Sequence, residues 1–144
     1  MSHPLTGFHF TANWGDMDLG FTSVTGLDQH LDVIEYREGS SPSLTPRKIP
    51  GLMRSSPVIL RRGIVVGRAD VSEWIRTVRV GTIERRDMQV SLLNEDHDPS
   101  VVWMLRNAWP ARLLGPDLNS MKSQVAFETL EVVHEGLTVQ FSDR

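Results

Sequence analysis

The chain has no cysteine. That absence removes disulfide scaffolds, thiolate zinc sites, iron–sulfur clusters and thiol nucleophiles. Stability must then come from packing or from a partner subunit. Lysine is scarce as well: Lys48 and Lys122 are the only two among 15 basic residues, so 13 are arginine. No run of about 18 apolar residues occurs that could cross a bilayer as a helix. The first residues carry no basic stretch followed by an apolar one, the pattern of a secretory leader. Synthesis in the cytoplasm, without membrane insertion, is the expectation. A formal net charge of −3 argues against a general nucleic-acid binder and against specific nucleic-acid binding. The histidines His3, His9, His30, His97 and His134 show no HExxH or HxH spacing, and there is no G-x-S-x-G, P-loop or G-x-G-x-x-G. No catalytic constellation, metal site or cofactor is read, and the chain is not expected to be an enzyme.

What is present is ordinary globular material. The 144 residues are 40% hydrophobic and 23% charged, enough to bury one core, so residues 1–144 are expected to form a single domain. Alternation with period two dominates, the mark of strands that bury one face. Arg86-Asp87-Met88-Gln89-Val90-Ser91-Leu92 is the clearest case, with Met88, Val90 and Leu92 inward and Asp87, Gln89 and Ser91 facing out. A turn-rich 94–99 then leads to apolar 101–105, which predicts a β-hairpin. Further strands are expected over 8–14, 31–36, 58–62, 112–114, 125–133 and 138–141. One helix is expected over 70–79, with Asp70 as N-cap, Glu73 at the capping-box position, and Val71, Trp74, Ile75 and Val78 on its apolar face. Between Tyr36 and Val58, glycines, serines and prolines break every periodicity, and 39–57 reads as a long loop, neither strand nor helix. Its Leu44, Ile49, Leu52 and Met53 mark it as a loop that packs on something. The expected class is mainly β with one helix.

Several clusters could carry chemistry. Asp16-Met17-Asp18 could share a divalent cation, but a polar tip after the first strand accounts for it. Asn94-Glu95-Asp96-His97-Asp98 holds hard ligands yet lacks the glycine and closing glutamate of an EF-hand loop; a solvated hairpin tip is the better explanation. Glu131, His134 and Glu135 read as a strand-end charge cluster. Trp14, Trp74, Trp103 and Trp109 could stack on a sugar, as in a stand-alone carbohydrate-binding module, but three of them lie in or beside periodic apolar segments.

Charge is unevenly spread. Residues 1–46 sum to −5 (one basic, six acidic), residues 47–86 to +7 (ten and three) and residues 87–144 to −5 (four and nine). Arginine is favoured at protein interfaces because its planar fork pairs bidentately with carboxylates and is weakly hydrated. The layout therefore points to self-association: Arg47, Lys48 and Arg54, with Ile49, Leu52 and Met53 beside them, against acidic partners drawn from Asp16, Asp18, Asp28, Asp32, Glu35, Glu95, Asp96 and Asp98.

An ordered set of segments then becomes recognisable: Phe21-Thr22-Ser23-Val24-Thr25-Gly26-Leu27-Asp28, Val33-Ile34-Glu35-Tyr36-Arg37-Glu38-Gly39, Arg47-Lys48-Ile49-Pro50-Gly51-Leu52, Leu60-Arg61-Arg62-Gly63, Asn107-Ala108-Trp109-Pro110, Gly115-Pro116-Asp117-Leu118-Asn119 and Glu128-Thr129-Leu130-Glu131-Val132-Val133-His134-Glu135-Gly136-Leu137. Together, over nearly the whole chain, they resemble the tail tube proteins of contractile phages, R-type pyocins and extracellular contractile injection systems. The resemblance implies a small β-sandwich or barrel subunit with one helix, in a hexameric ring that stacks into a hollow tube inside a contractile sheath, with Asp87, Gln89 and Ser91 on a lumen or outer face and with no catalytic site. It implies a long loop that reaches a neighbouring subunit or ring. It also implies sheath, baseplate or spike, and tube-terminator proteins as partners, in a particle that is cytoplasmic, membrane-anchored or released. A phage tail tube conducting DNA is the alternative within the same architecture.

Overall fold

The computed structural model describes residues 5–7, 9–14, 17–64, 70–76 and 84–142. Among these lie ten strands and one helix: β1 (Phe10–Trp14), β2 (Met17–Asp18), β3 (Ser23–Thr25), β4 (Gln29–Tyr36), β5 (Arg47–Ser55), β6 (Val58–Gly63), α1 (Asp70–Arg76), β7 (Arg86–Leu93), β8 (Pro99–Leu114), β9 (Phe127–Val133) and β10 (Gly136–Phe141). Thr77, Val78 and Arg79, expected to continue the helix, lie outside the described residues, as do Phe8 and Asp16.

Eight strands form one antiparallel sheet in the order β2-β1-β7-β8-β9-β6-β3, with β10 also pairing β8. The sheet bends through β8. Its first half pairs β7 and β10, up to Arg106 and Ala108, and its second half pairs β9 from Trp109 onward. The bend coincides with a register shift and with Asn107 at φ 50°, a bulge of the kind that redirects a strand. Segments 101–105 and 112–114, expected as separate strands, are therefore one strand of 16 residues. Pro110 sits within it where a register shift interrupts the ladder. The two layers do not close into a barrel. They enclose a core of Ala12, Leu19, Val58, Leu60, Val71, Trp74, Met88, Val90, Leu105, Ala108, Leu130, Val132 and Leu137, contributed by both.

The 39–57 loop is the main correction. Residues 39–46 are irregular, but β5 is a nine-residue strand that pairs β4 from Gln29↔Ser55 to Tyr36↔Arg47, making a separate two-stranded ribbon. Pro50 does not forbid this, because in a two-stranded ribbon each strand has a free edge, where a missing N–H is tolerated. This ribbon, called the arm below, leaves the core between β3 and β6.

The arm's roots are held by a close backbone crossing. Gly26, at φ 91°, lies so near Pro57 that an added Cβ would stand 2.1 Å from its carbonyl oxygen. Gly26→Ala should therefore cost about 1–3 kcal/mol, read as a lower melting temperature. An unchanged melting temperature would show that the crossing is slack.

Candidate assembly surface

The arm exposes what a solvated ribbon hides. On β4, Val33 and Ile34 are neighbours and point to opposite faces, and both are exposed. On β5, Leu52 is 72% and Met53 63% exposed, with Ile49 exposed beside them. Apolar side chains thus stand on both faces of a two-stranded element that is marginal alone in water. The 115–126 connection adds Leu118 at 84% and Met121 at 90% exposure. Such patches mark interaction surfaces.

The structure sorts the charged candidates. Arg54 and Asp32, expected to meet partners across subunits, pair with each other across the arm at 2.5 Å. Glu35 lies opposite Lys48 in the register, and Tyr36 opposite Arg47. Basic and acidic candidates that the sequence placed in separate blocks therefore share one ribbon. Arg47 and Lys48 are exposed and make no ion pair among the described residues. Asp28 lies just before β4. Asp18 accepts a hydrogen bond from the Gly20 amide at 3.0 Å, closing the chain after β2. Glu95, Asp96 and Asp98 lie on the β7–β8 turn, where Asn94 Oδ1 accepts from the Asp96 and Asp98 amides at 2.9 and 3.0 Å. That turn is organised by its own backbone, which accounts for its composition.

Asp87, Gln89 and Ser91 share the outward face of β7, as the alternation requires. Asp87 accepts from the Asn107 amide at 2.9 Å and so braces the β8 bulge. Gln89 is exposed, whereas Ser91 is only 6% exposed: it has the expected direction but not the expected solvent contact.

Two arginines tie the helix to the sheets, and the sequence reading missed both. Arg62, in β6, is 2% exposed. Its guanidinium donates to Asp70 at 2.6 Å, to Glu128 at 2.5 Å and to the Leu19 carbonyl at 2.9 Å, and lies over the Phe21 ring. Burial alone would pull its pKa down, but the bonds to Asp70 and Glu128 more than offset that. A signal was present: Val58, Leu60 and Arg62 share one strand face, so an inward cation needed acidic partners, and Asp70 begins the helix eight residues on. Arg86 stands 4.5 Å from the Trp14 ring and 5.3 Å from Trp74, whose rings meet edge-on at 4.7 Å. Both tryptophans are thereby committed to internal packing, as is Trp103, which packs on the core.

Where the arm's end meets the β9–β10 turn there is a cavity of about 480 Å³ lined by Met53, Ser55, Met104, Arg106, Glu135 and Thr138, among others. Gln29 donates to the Leu137 carbonyl here. Arg85 pairs with Glu135, whose Oε2 also accepts from Asn107 Nδ2 at 2.8 Å. The Asn107 bond first, and the neighbouring arginines second, hold the Glu135 carboxyl below its usual pKa.

His134, in the same turn, has both ring nitrogens enclosed without a partner at hydrogen-bonding geometry among the described residues. Burial holds its pKa below 6.5, and the backbone at Gly136 and Ser56 offsets this only in part. The unfolded chain therefore takes up the proton first on acidification. Stability should be constant above about pH 6.5 and fall as the pH drops below it. His134→Gln should flatten this fall in melts between about pH 7.5 and 5; an equal fall in the variant would assign it to carboxylates elsewhere.

Among the described residues, no helix is long and apolar enough to cross a membrane. Residues 6–138 match the family model described as T4-like virus tail tube protein gp19. No curated protein sequence matches the chain. Among solved structures, the chain is similar to the anti-feeding prophage cap, the AFP tube terminating cap, with 29% identity, TM-score 0.90, and 99% of this chain and 94% of that one covered. It is likewise similar to a chain of the PVC sheath-tube complex of an extracellular contractile injection system in its extended state, with 28% identity, TM-score 0.88, and coverage of 97% and 93%. The fold alone is shared with Hcp1 from Flavobacterium johnsoniae, at 13% identity and TM-score 0.57, with 94% and 97% covered.

Proposed function

Because this chain belongs to the T4-like virus tail tube protein family, we propose that it is the inner tube subunit of a contractile injection system, forming hexameric rings that stack into a hollow tube inside a sheath. The observation that carries the reading is the arm, a ribbon that leaves Val33, Ile34, Leu52 and Met53 largely exposed on its two faces. Heterologous contacts that close make rings, and those that do not close make filaments; a tube uses both. Open strand edges, here β3 and β10, are a liability in a lone sheet protein and are removed when subunits join edge to edge. The solved structures that resemble this chain include sheath-tube, tube-terminating-cap and baseplate assemblies, so sheath, terminator and baseplate proteins are the natural partners. The role is structural rather than catalytic. The chain acts as a single domain, with Arg47, Lys48, Ile49, Leu52 and Met53 as its inter-subunit contacts.

Negative-stain electron microscopy of the purified protein tests this reading directly. Rings or stacked tubes are expected. A monomer at every concentration, by microscopy and by light scattering, would overturn it.

A further inference from the structure

We propose that His9 and His97 form a two-histidine site for a divalent transition-metal cation of the zinc, nickel or copper type, which clips the start of β1 to the β7–β8 turn. The inference stands apart from the tube reading and needs no partner subunit. The two imidazole rings come from distant parts of the chain, yet their centroids are 5.0 Å apart with planes tilted by 37°. A histidine nitrogen binds such an ion at about 2.0–2.1 Å, which puts each ring centre about 3.2 Å from the metal. Two imidazoles in neighbouring positions then have centres about 4.5 Å apart at a square angle and about 5.2 Å at a tetrahedral one. The observed spacing falls between the two.

Both ligands are held by backbone. His9 stands one step ahead of β1, and its carbonyl accepts from the Leu93 amide at 2.8 Å, extending the ladder beyond the Phe10↔Leu92 pair. His97 has φ 63°, in the left-handed region, and its amide donates to the Asn94 carbonyl at 3.0 Å. The Asn94 amide in turn donates to the Asp98 carbonyl at 2.9 Å, so the bonds that fold this turn also fix where His97 sits. A metal site works best when its ligands are in place before the ion arrives. Here a strand ladder places one and a closed turn the other.

The chemistry selects the ion. Imidazole suits zinc, copper and nickel, whereas calcium and magnesium demand oxygen ligands. One nitrogen of each ring is enough, which leaves the other for a hydrogen bond. Glu95, Asp96 and Asp98 are exposed on the same turn, and 94–98 contains no lysine or arginine, so the local field favours a cation. Among the described residues no third histidine or carboxylate completes the set, and water takes the remaining positions. Structural zinc sites close with four protein ligands; this open pair makes a reversible site whose occupancy follows the metal concentration. Local motifs could not show it, because 94–98 holds only one of the two ligands.

The untagged protein is titrated with Zn²⁺ by calorimetry and with Cu²⁺ under electron paramagnetic resonance. Expected are one Zn²⁺ per subunit, a melting temperature that rises with Zn²⁺ concentration, and a Cu²⁺ signal from two coordinated imidazoles. His9→Gln and His97→Asn, the latter a residue tolerated at positive φ, should each leave the metal-free melting temperature unchanged and reduce the Cu²⁺ signal to one imidazole. Losing a ligand costs at least what losing its orienting group does, so each should weaken Zn²⁺ binding by about tenfold or more. His30→Asn should bind as the wild type does. Should His97→Asn prove less stable without metal, His9→Gln decides alone. No Zn²⁺ binding by the wild type, or undiminished binding by His9→Gln, would overturn the site and reduce the pair to a packing contact between rings.

Discussion

Arg62→Ala should unfold the protein or leave it barely folded. The guanidinium bridges Asp70 and Glu128, whose side chains are 14% and 17% exposed. Removing one partner of a buried ionic set costs about 3–5 kcal/mol, because the charges left behind lose their compensation inside a low-dielectric site. Whole domains of this size are stable by only about 5–15 kcal/mol. The Leu19 carbonyl would also lose this donor, and Phe21 the cation above its ring. Arg62→Lys should recover little, since an ammonium cannot serve two carboxylates and a carbonyl in one plane. The triple change of Arg62→Met, Asp70→Asn and Glu128→Gln should recover much more, because it removes the orphaned charges along with the cation. Denaturant melts distinguish these cases. If Arg62→Ala lost less than about 1 kcal/mol, the cluster would be no more than a surface ion pair.

This cluster also shows where the sequence was readable and where it was not. Strands such as β7 announce themselves because Met88 and Val90 alternate with Asp87 and Gln89, and a register slip would exchange the two sets. The helix start was legible from Asp70 and from the apolar spacing of Val71 and Trp74, both buried as that spacing requires. The ordered segments that resemble tail tube proteins led to the family that the 6–138 match establishes. β5 was not legible, because Pro50 and Gly51 break local propensity and its stabilising neighbour, β4, is set by pairing across an irregular stretch. The single strand β8 was hidden by Asn107 and Pro110, each a stop signal in isolation but here a bulge and an interruption in a continuous ladder. Nor could a charge sum foresee that Arg54 would be satisfied by Asp32 within one ribbon. Block arithmetic carries no geometry, and the +7 middle segment places its cations on β5, β6 and beyond β6 rather than on one face.

That redistribution shifts the weight of assembly from charge to apolar burial, so Leu52→Asp combined with Met53→Asp should abolish tube growth while leaving the subunit folded. Both side chains are largely exposed in the isolated chain, and exposed substitutions away from special backbone sites change stability by only about 0.5 kcal/mol. In the tube each would bury an apolar group worth about 1.5–3 kcal/mol, and the aspartates would instead bring desolvated charge into the contact. The penalty recurs in every subunit of every ring, so even the lower figure is decisive for a polymer built by repeated contacts. Arg47→Glu combined with Lys48→Glu should act more weakly, slowing growth in low salt and less so in high salt. Exposed pairs contribute only about 0–1 kcal/mol and are screened, and Arg54 is already engaged by Asp32. Sedimentation of assembled material, with circular dichroism to verify the subunit fold, compares the two variants. Normal tubes from the aspartate pair, or a stronger block from the glutamate pair, would return the arm to an electrostatic mechanism and remove its apolar faces from the interface.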